Sequence, residues 1–284
     1  MHTLRTLDDA IAVRAALDAG ARTVVIGAGF IGSEVASAAR KRGLPTTIVE
    51  ALPVPLVRSV GEAMGHACAE LHKVHGADLR CGVTVDGVDS VAGTVTGVRL
   101  SDGSVVAADL VVVGIGVAPC TQWLEGSGVP LHERDRGVVA DATLRAVDGV
   151  YAAGDVVHFP NPLFDGELMR LEHWTTAVEQ GMLAARNALD PAAAKELSTV
   201  PYFWSDLYSS RIQFVGVPRG EEIRIASEEL GEDRFLGLYR GGDRLLGAIA
   251  IDRPAQIMKY RRLIAQRASW DDALAFAGVG DGRR

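Results

Sequence analysis

The stretch Thr23-Val24-Val25-Ile26-Gly27-Ala28-Gly29-Phe30-Ile31-Gly32 decides the fold class of this chain. A short, mostly β-branched run predicts a strand, and it leads directly into a Gly-x-Gly-x-x-Gly turn. The pattern that follows predicts a helix to about Arg42, ended by Gly43, and then a strand from Thr46 to Glu50. This is a β-α-β unit whose turn is built to cradle a dinucleotide. Gly27 permits the tight turn, Gly29 lets a pyrophosphate approach the backbone, and Gly32 lets the helix pack close to the strand. Phe30 and Ile31 open the helix, whose N-terminal N–H groups and partial positive charge suit phosphates. A glycine-rich turn that binds nothing would have the same six residues. The strand before it, the helix after it and the acid ending the next strand favour the dinucleotide.

That acid, Glu50, is placed to accept hydrogen bonds from the adenosine ribose hydroxyls. Positions 51–57 carry no arginine to offset a 2′-phosphate, so NADH is expected rather than NADPH, with Arg58 the nearest cation. Glu34, in the first helical turn, suits the helix dipole and reads either as a surface residue or as a neighbour of the nicotinamide carboxamide.

Residues 6–19 predict a preceding helix, with Thr6 as N-cap, Asp8 and Asp9 in its first turn and Gly20 ending it. Residues 60–75 predict another, ending at Gly76. From Val83 to Val106, short β runs divided by Asp-Gly and Ala-Gly turns predict a β-meander inserted in the α/β unit. Leu110 to Val113 reads as a buried parallel strand. Near Pro119 the first domain ends. A second α/β segment is expected to hold a strand over Gly149–Ala153, the Gly154-Asp155 turn and a helix from about Trp174 to Leu189. Residues 193–284 alternate strands (Arg211–Val217, Glu222–Ala226, Phe235–Tyr239, Arg244–Ile251) with one late helix, Ala255–Gln266, and read as a separate α+β domain.

The chain has 284 residues, 48% hydrophobic and 23% charged, with a formal net charge of −7. That balance carries no electrostatic footprint for nucleic acid. The three cysteines, Cys68, Cys81 and Cys120, form no closely spaced pair, which excludes a redox-active dithiol. No apolar run is long enough to span a bilayer and no targeting segment is evident, so a cytoplasmic protein is expected.

Six stretches in order, LRTLDDA (4–10), VVIGAGFIGSEVA (24–36), GIGVAP (114–119), GVYAAGDV (149–156), LEHWTTAVEQG (171–181) and VPYFWSD (200–206), resemble the FAD- and NADH-dependent ferredoxin and rubredoxin reductases. These belong to the pyridine nucleotide-disulfide oxidoreductase superfamily and serve oxygenases and cytochromes P450. The resemblance implies Rossmann-like nucleotide-binding domains with a parallel sheet, followed by a C-terminal α+β interface domain. It divides the chain into an NADH-binding domain (1–118), part of an FAD-binding domain (119–192) and a C-terminal reductase domain (193–284).

It also implies that Arg5 contacts FAD, that Asp155 holds a flavin ribityl hydroxyl, and that Trp174 packs at the isoalloxazine. Gly114, Ile115 and Gly116 match the strand-end turn that lets nicotinamide reach the flavin, while Phe203 and Trp204 belong to the segment closing the cofactor pocket. Taken alone, Asp155 also reads as a common turn residue and Trp174 as a core filler. Electrons would pass from NADH through FAD to a 2Fe-2S ferredoxin or a rubredoxin, and the resemblance leaves room for a homodimer. Cys120 stands where the family more often has Asn, and Leu207 where it often has Gln. Family members begin with a second Gly-x-Gly-x-x-Gly for the ADP half of FAD, and this sequence holds one such motif. It is therefore expected to be truncated, with an inert NADH-binding remnant or one subunit of a two-chain reductase as the alternatives. The isolated chain is expected to hold FAD poorly and to expose apolar surface over residues 119–190.

Two further clusters carry alternative readings. Cys68, His72 and His75 fall on one helix face, read as a metal site lacking a fourth ligand or as a histidine pair favourable to the helix dipole. Lys259, Arg261, Arg262 and Arg267 read as a solvated face or as a surface attracting an acidic ferredoxin.

Overall fold

The computed structural model describes residues 1–229 and 234–278. The chain divides into two compact units, residues 1–116 with 205–212, and residues 117–204 with 213–284.

The first unit opens with α1 (Leu7–Asp18), where Thr6 and Asp9 form a capping box: Thr6 Oγ1 accepts from Asp9 N–H and the Asp9 carboxylate accepts from Thr6 N–H. Then come β1 (Thr23–Ile26), α2 (Phe30–Lys41), β2 (Thr46–Glu50), α3 (Val57–Val74), β3 (Asp78–Cys81), the meander β4 (Val85–Val91), β5 (Thr94–Leu100) and β6 (Val105–Ala107), and β7 (Leu110–Val113). The parallel sheet has the order β3-β2-β1-β7. Alternation along each strand explains why both faces are dry. Val25, Ile48 and Val112 pack with α1 and α2, while Val24, Val49 and Val111 pack against Val98 and Leu100 of the meander. His2 extends the β7 edge, donating to Val111 O (2.8 Å) and accepting from Val113 N–H (2.9 Å). The helix expected over 60–75 starts earlier, and Gly61 kinks it with φ +74°, a value that favours glycine.

The second unit contains β8 (Val138–Val139), β9 (Arg145–Val147), β10 (Val150–Tyr151), β11 (Val157–Asn161), β12 (Glu167–Arg170), α4 (Trp174–Leu189), β13 (Tyr202–Leu207), β14 (Ser210–Gly216), β15 (Glu222–Glu229), β16 (Arg234–Gly241), β17 (Arg244–Ile251), α5 (Pro254–Ala265) and α6 (Trp270–Ala277). Several features differ from the sequence reading, including the short strands β8, β9, β12 and β13, which it did not give. The strand expected over Gly149–Ala153 shrinks to β10, hemmed by the positive-φ turns at Gly149 and Gly154 and paired antiparallel with β9. The strand that pairs in parallel is β11, against β8, although Pro160 inside it argues from sequence against a strand. A second late helix, α6, follows α5; Ser269 caps it by accepting from Asp272 N–H at 3.1 Å. The five-stranded sheet has the order β13-β14-β17-β16-β15. One core joins Leu144 and Phe159 to Leu236, Leu238, Ile257, Tyr260 and Trp270, so residues 119–192 and 213–278 share it.

The basic run on α5 is partly used inside this unit. Arg261 pairs with Glu179 (2.9 Å), Arg267 donates to Pro162 O (2.7 Å), and Lys259 lies over the Phe276 ring. Among the described residues no helix is long and apolar enough to cross a membrane.

Residues 205–212, the tip of the β13–β14 hairpin, are built into the first unit. Tyr208 N–H donates to Ser37 Oγ (2.6 Å), its hydroxyl lies 2.7 Å from His72 Nδ1, and its ring stacks on His75 at 4.2 Å. His72 is fully buried, and burial lowers its pKa to about 4, with the nearby His75 adding to the effect. A neutral imidazole gains nothing from the helix dipole, so His72 does not play the dipole-pairing role; it serves as a hydrogen-bonding partner for Tyr208.

The unfolded chain takes up this proton near pH 6.5 and the folded chain only near pH 4. His72 therefore contributes stability above about pH 6.5 that is lost as pH falls towards 4. Urea midpoints measured across this window should decline, and His72→Asn should flatten part of that decline. An equal slope in both proteins would contradict the assignment.

Candidate functional site

Three glycines meet where β1 turns into α2 and β7 ends. Gly27 has φ +98°, and a Cβ there would stand 2.4 Å from Gly114 O. A Cβ on Gly32 would stand 2.0 Å from Gly27 O, and one on Gly114 would lie 3.4 Å from Gly32 N. Backbone bonds close the crossing: Gly27 N–H to Val49 O and Gly114 N–H to Ile26 O, both 2.8 Å. Gly29 is different. It is the N-cap of α2, with no side-chain cap, and a Cβ there would meet nothing nearer than Gly114 O at 3.9 Å. Space is thus left over the helix N-terminus, where Phe30 is half-buried and Ile31 exposed. Such a space, with the helix dipole behind it, fits a diphosphate.

Glu50 sits at the end of β2 beside this turn. Its Oε2 accepts from Ala28 N–H (2.7 Å) and its Oε1 from Leu52 N–H (2.9 Å). The backbone holds the carboxylate in place while leaving capacity for further donors, since the two oxygens offer roughly four lone-pair sites. Arg58 is exposed and its guanidinium lies beside Gly116, 3.9 Å from where a Cβ would stand; Gly116 has φ +124°. Ile115 is exposed between the two glycines. Glu34 accepts a 2.6 Å hydrogen bond from Ser205 Oγ on the hairpin tip. Arg5 is exposed just before α1, and its N–H donates to Asp9. Leu207 is fully buried in the hairpin tip and Cys120 is exposed. Cys68 is fully buried, with burial pushing its thiol up to about 12, and His72 Nδ1 is engaged by Tyr208. That face offers no metal site.

In the second unit, Asp155 is exposed on the turn after Gly154 (φ +83°). Gly154 N–H donates to Gln180 Oε1 (2.7 Å), and Asp155 O accepts from Arg170 Nη1 (2.9 Å). Gln180 is fully buried, and its Nε2 has no partner, an orphaned donor at the turn. A polar ligand there would satisfy it. Trp174 is the first residue of α4. On either side, the half-buried His173 ring packs against Phe203 (5.0 Å) and Thr175 Oγ1 donates to Tyr202 O (2.7 Å). Burial lowers the His173 pKa to about 4. With both neighbours fixed, Trp174 is left 78% exposed, so it is no core filler. Val178 and Met182 continue the exposed stripe at i+4 and i+8. Trp204 is exposed on β13, its ring 5.7 Å from that of Tyr202.

Sequence reading missed one cluster. Asp135 accepts from Gly137 N–H (3.0 Å), His158 Nε2 (2.9 Å) and Arg170 Nε (2.8 Å). Burial favours its protonated form, but these three donors outweigh it and hold the carboxyl well below its usual range. His132 stacks on His158 at 4.1 Å. His132, Asp135 and His158 have metal-ligand chemistry, yet the guanidinium on the carboxylate would oppose a dication. No spacing signal announces the cluster, because its members come from separate segments.

Two family models match the chain: pyridine nucleotide-disulphide oxidoreductase over residues 1–181 and Reductase C-terminal over residues 202–278. Rhodocoxin reductase of Rhodococcus erythropolis is 35% identical, the match covering 93% of this chain and 61% of that protein. Putidaredoxin reductase of Pseudomonas putida is 32% identical, over 93% and 62%. Among solved structures, a ferredoxin reductase of Rhodopseudomonas palustris superposes with a TM-score of 0.87 at 33% identity, covering 94% of this chain and 65% of that one. A covalent putidaredoxin reductase–putidaredoxin complex superposes with 0.86 at 31%, covering 94% and 63%. The chain thus spans less than two thirds of the length of these relatives. With the glycine crossing and the matching C-terminal sheet in place, the chain belongs to the pyridine nucleotide-disulphide oxidoreductase family.

Proposed function

We propose that this chain is the NADH-binding and C-terminal part of an FAD-dependent reductase that delivers electrons to a 2Fe-2S ferredoxin or a rubredoxin serving an oxygenase or P450. The observation that carries the proposal is the open, uncapped N-terminus of α2 over Gly29, beside a carboxylate held by backbone N–H groups. In this reading Gly27, Gly29, Phe30, Ile31 and Gly32 form the diphosphate cradle and Glu50 accepts from the adenosine ribose. Glu34 and the Gly114-Ile115-Gly116 turn with Arg58 border the nicotinamide end. Arg5, Asp155, Trp174 and Trp204 are assigned to FAD. Bound flavin supplies the exchange between hydride and single-electron chemistry. The protein's task is to bind, orient and exclude water. Putidaredoxin reductase is known in complex with putidaredoxin, which supports a partner of that kind here. The second Gly-x-Gly-x-x-Gly that FAD's ADP half requires is not in this sequence, so the flavin-binding surface needs a further segment or a second chain. The exposed stripe of Trp174, Val178 and Met182 supports that requirement.

The visible spectrum of purified protein with NADH tests the reading. Yellow protein that bleaches under NADH, alone or once the missing flavin lobe is supplied, supports it. Colourless protein that still titrates with NADH leaves only the dinucleotide-binding part. Absence of NADH affinity sinks the proposal.

The glycines make a paired test. Gly29→Ala meets open space at an ordinary φ of −72°, so it should fold normally while weakening NADH binding about tenfold or more. Gly32→Ala forces a Cβ onto Gly27 O, and should lower stability by about 1–3 kcal/mol in chemical denaturation. Glu50→Ala should weaken NADH about tenfold and narrow the preference over NADPH, read by fluorescence titration. An unchanged ratio of the two affinities would remove Glu50 from the ribose site.

A further inference from the structure

Arg170, at the end of β12, is only 16% exposed and reaches three acceptors at once. Nε donates to Asp135 Oδ2 (2.8 Å), while Nη1 donates to Asp155 O (2.9 Å) and pairs with Glu172 Oε1 (2.7 Å). The first acceptor lies just before β8, the second on the Gly154-Asp155 turn, and the third two residues ahead of Trp174. Asp135 is anchored in turn by Gly137 N–H and by His158 of β11. The turn is thereby gripped at both ends, by Gln180 at Gly154 N–H and by Arg170 at Asp155 O. Among the described residues no other hydrogen bond holds the Asp155 backbone, and its carboxylate is exposed and without a side-chain partner.

We propose that Arg170 is the positioning residue of the flavin half of the site, holding the Asp155 turn and the entry to α4 in one fixed relation through a single guanidinium. The proposal rests on the assignment of Asp155 and Trp174 to FAD. A guanidinium is suited to the task because its planar fork presents several donors in fixed directions. A lysine carries the charge but can reach from only one nitrogen. Asp135 acts as the anchor for this fork, with His158 and Gly137 N–H satisfying its other oxygen. Arg170 does not touch the reacting atoms. Its effect on chemistry is through the placement of Asp155.

The test uses Arg170→Lys in the chain as it exists, with amide hydrogen exchange as the first readout. Exchange at residues 154–157 should rise about tenfold, the loss of one charge-assisted hydrogen bond, while β1, β2 and β7 keep their wild-type protection. In flavin-reconstituted protein, the FAD dissociation constant should rise about tenfold and the flavin absorption bands should shift, with NADH affinity unchanged. If Arg170→Lys fails to fold, Glu172→Ala removes one arm of the fork, and exchange at the turn should still rise about threefold. Wild-type exchange at residues 154–157 in a folded Arg170→Lys protein, or in Glu172→Ala when the lysine variant does not fold, overturns the clamp. A raised exchange with no FAD binding by any form keeps the clamp and removes the flavin assignment instead.

Discussion

The first unit depends on a place where no side chain fits. At the crossing of the β1–α2 turn with the end of β7, Gly27, Gly32 and Gly114 bring three backbone segments within 2.0–3.4 Å of where Cβ atoms would be. Close-packed interiors ordinarily keep backbones apart by the thickness of their side chains. Removing that thickness draws α2 down onto the sheet, so that its first turn opens on the carboxyl ends of β1, β2 and β7 together. Open α/β sheets bind ligands at such ends. Glu50 arrives there because β2 pairs in register with β1, Val49 opposite Ile26, leaving Glu50 one residue beyond.

The same unit recruits the hairpin tip by burying Leu207 and Ile212 and by specific polar contacts. Tyr208 adopts φ +56°, a conformation uncommon for a bulky residue, and its backbone and hydroxyl are both satisfied, by Ser37 and His72. Strain of this kind persists when surrounding bonds over-determine it. Ser205 adds a bond to Glu34, which lies just beyond the first turn of α2 rather than in it as the sequence suggested. A residue singled out for its position near the dinucleotide is thus also tied to a segment more than 170 positions away in sequence.

Legibility in the sequence followed the range of the interactions. The β-α-β unit was readable because strand, glycine turn, helix and terminal acid occupy 28 consecutive residues, Thr23–Glu50. Thr6 and Asp9, the capping box, and the α4 boundaries were local for the same reason. The strand order around β11 was not legible, since Pro160 contradicts it locally and its pairing with β8 is decided by tertiary packing. α6 was missed although Ser269 and Asp272 are an ordinary N-cap pair; the segment is only eight residues long and lies near the end of the chain. Arg170 and Asp135 were invisible because their meaning lies in a meeting of residues 35 apart in sequence, with no pattern at either. For His72, the sequence showed a helix end, while the structure shows a buried ring, neutral because of that burial and hydrogen-bonded to a tyrosine 136 residues away.

α4 shows how a helix can carry a functional signal in the placement of its polarity. Its buried residues are Thr176, Gln180, Ala184 and Asn187, three of them polar. The Asn187 side chain makes three hydrogen bonds, to Thr143 O, Lys195 O and Lys195 N–H, and Gln180 holds Gly154. Its exposed face meanwhile carries Trp174, Val178 and Met182. An ordinary surface helix has the reverse arrangement, with its apolar stripe on the core. Leaving one large aromatic and two aliphatic side chains in water forfeits roughly 1.5–3 kcal/mol each relative to burial. Folding of this unit alone gives no return for that cost, because its inner face is already committed to turns through hydrogen bonds. A cover for the outer face does give one. The inverted helix is therefore better explained as part of an interface than as a stabilising element, and it lies next to the Asp155 turn that the flavin reading requires.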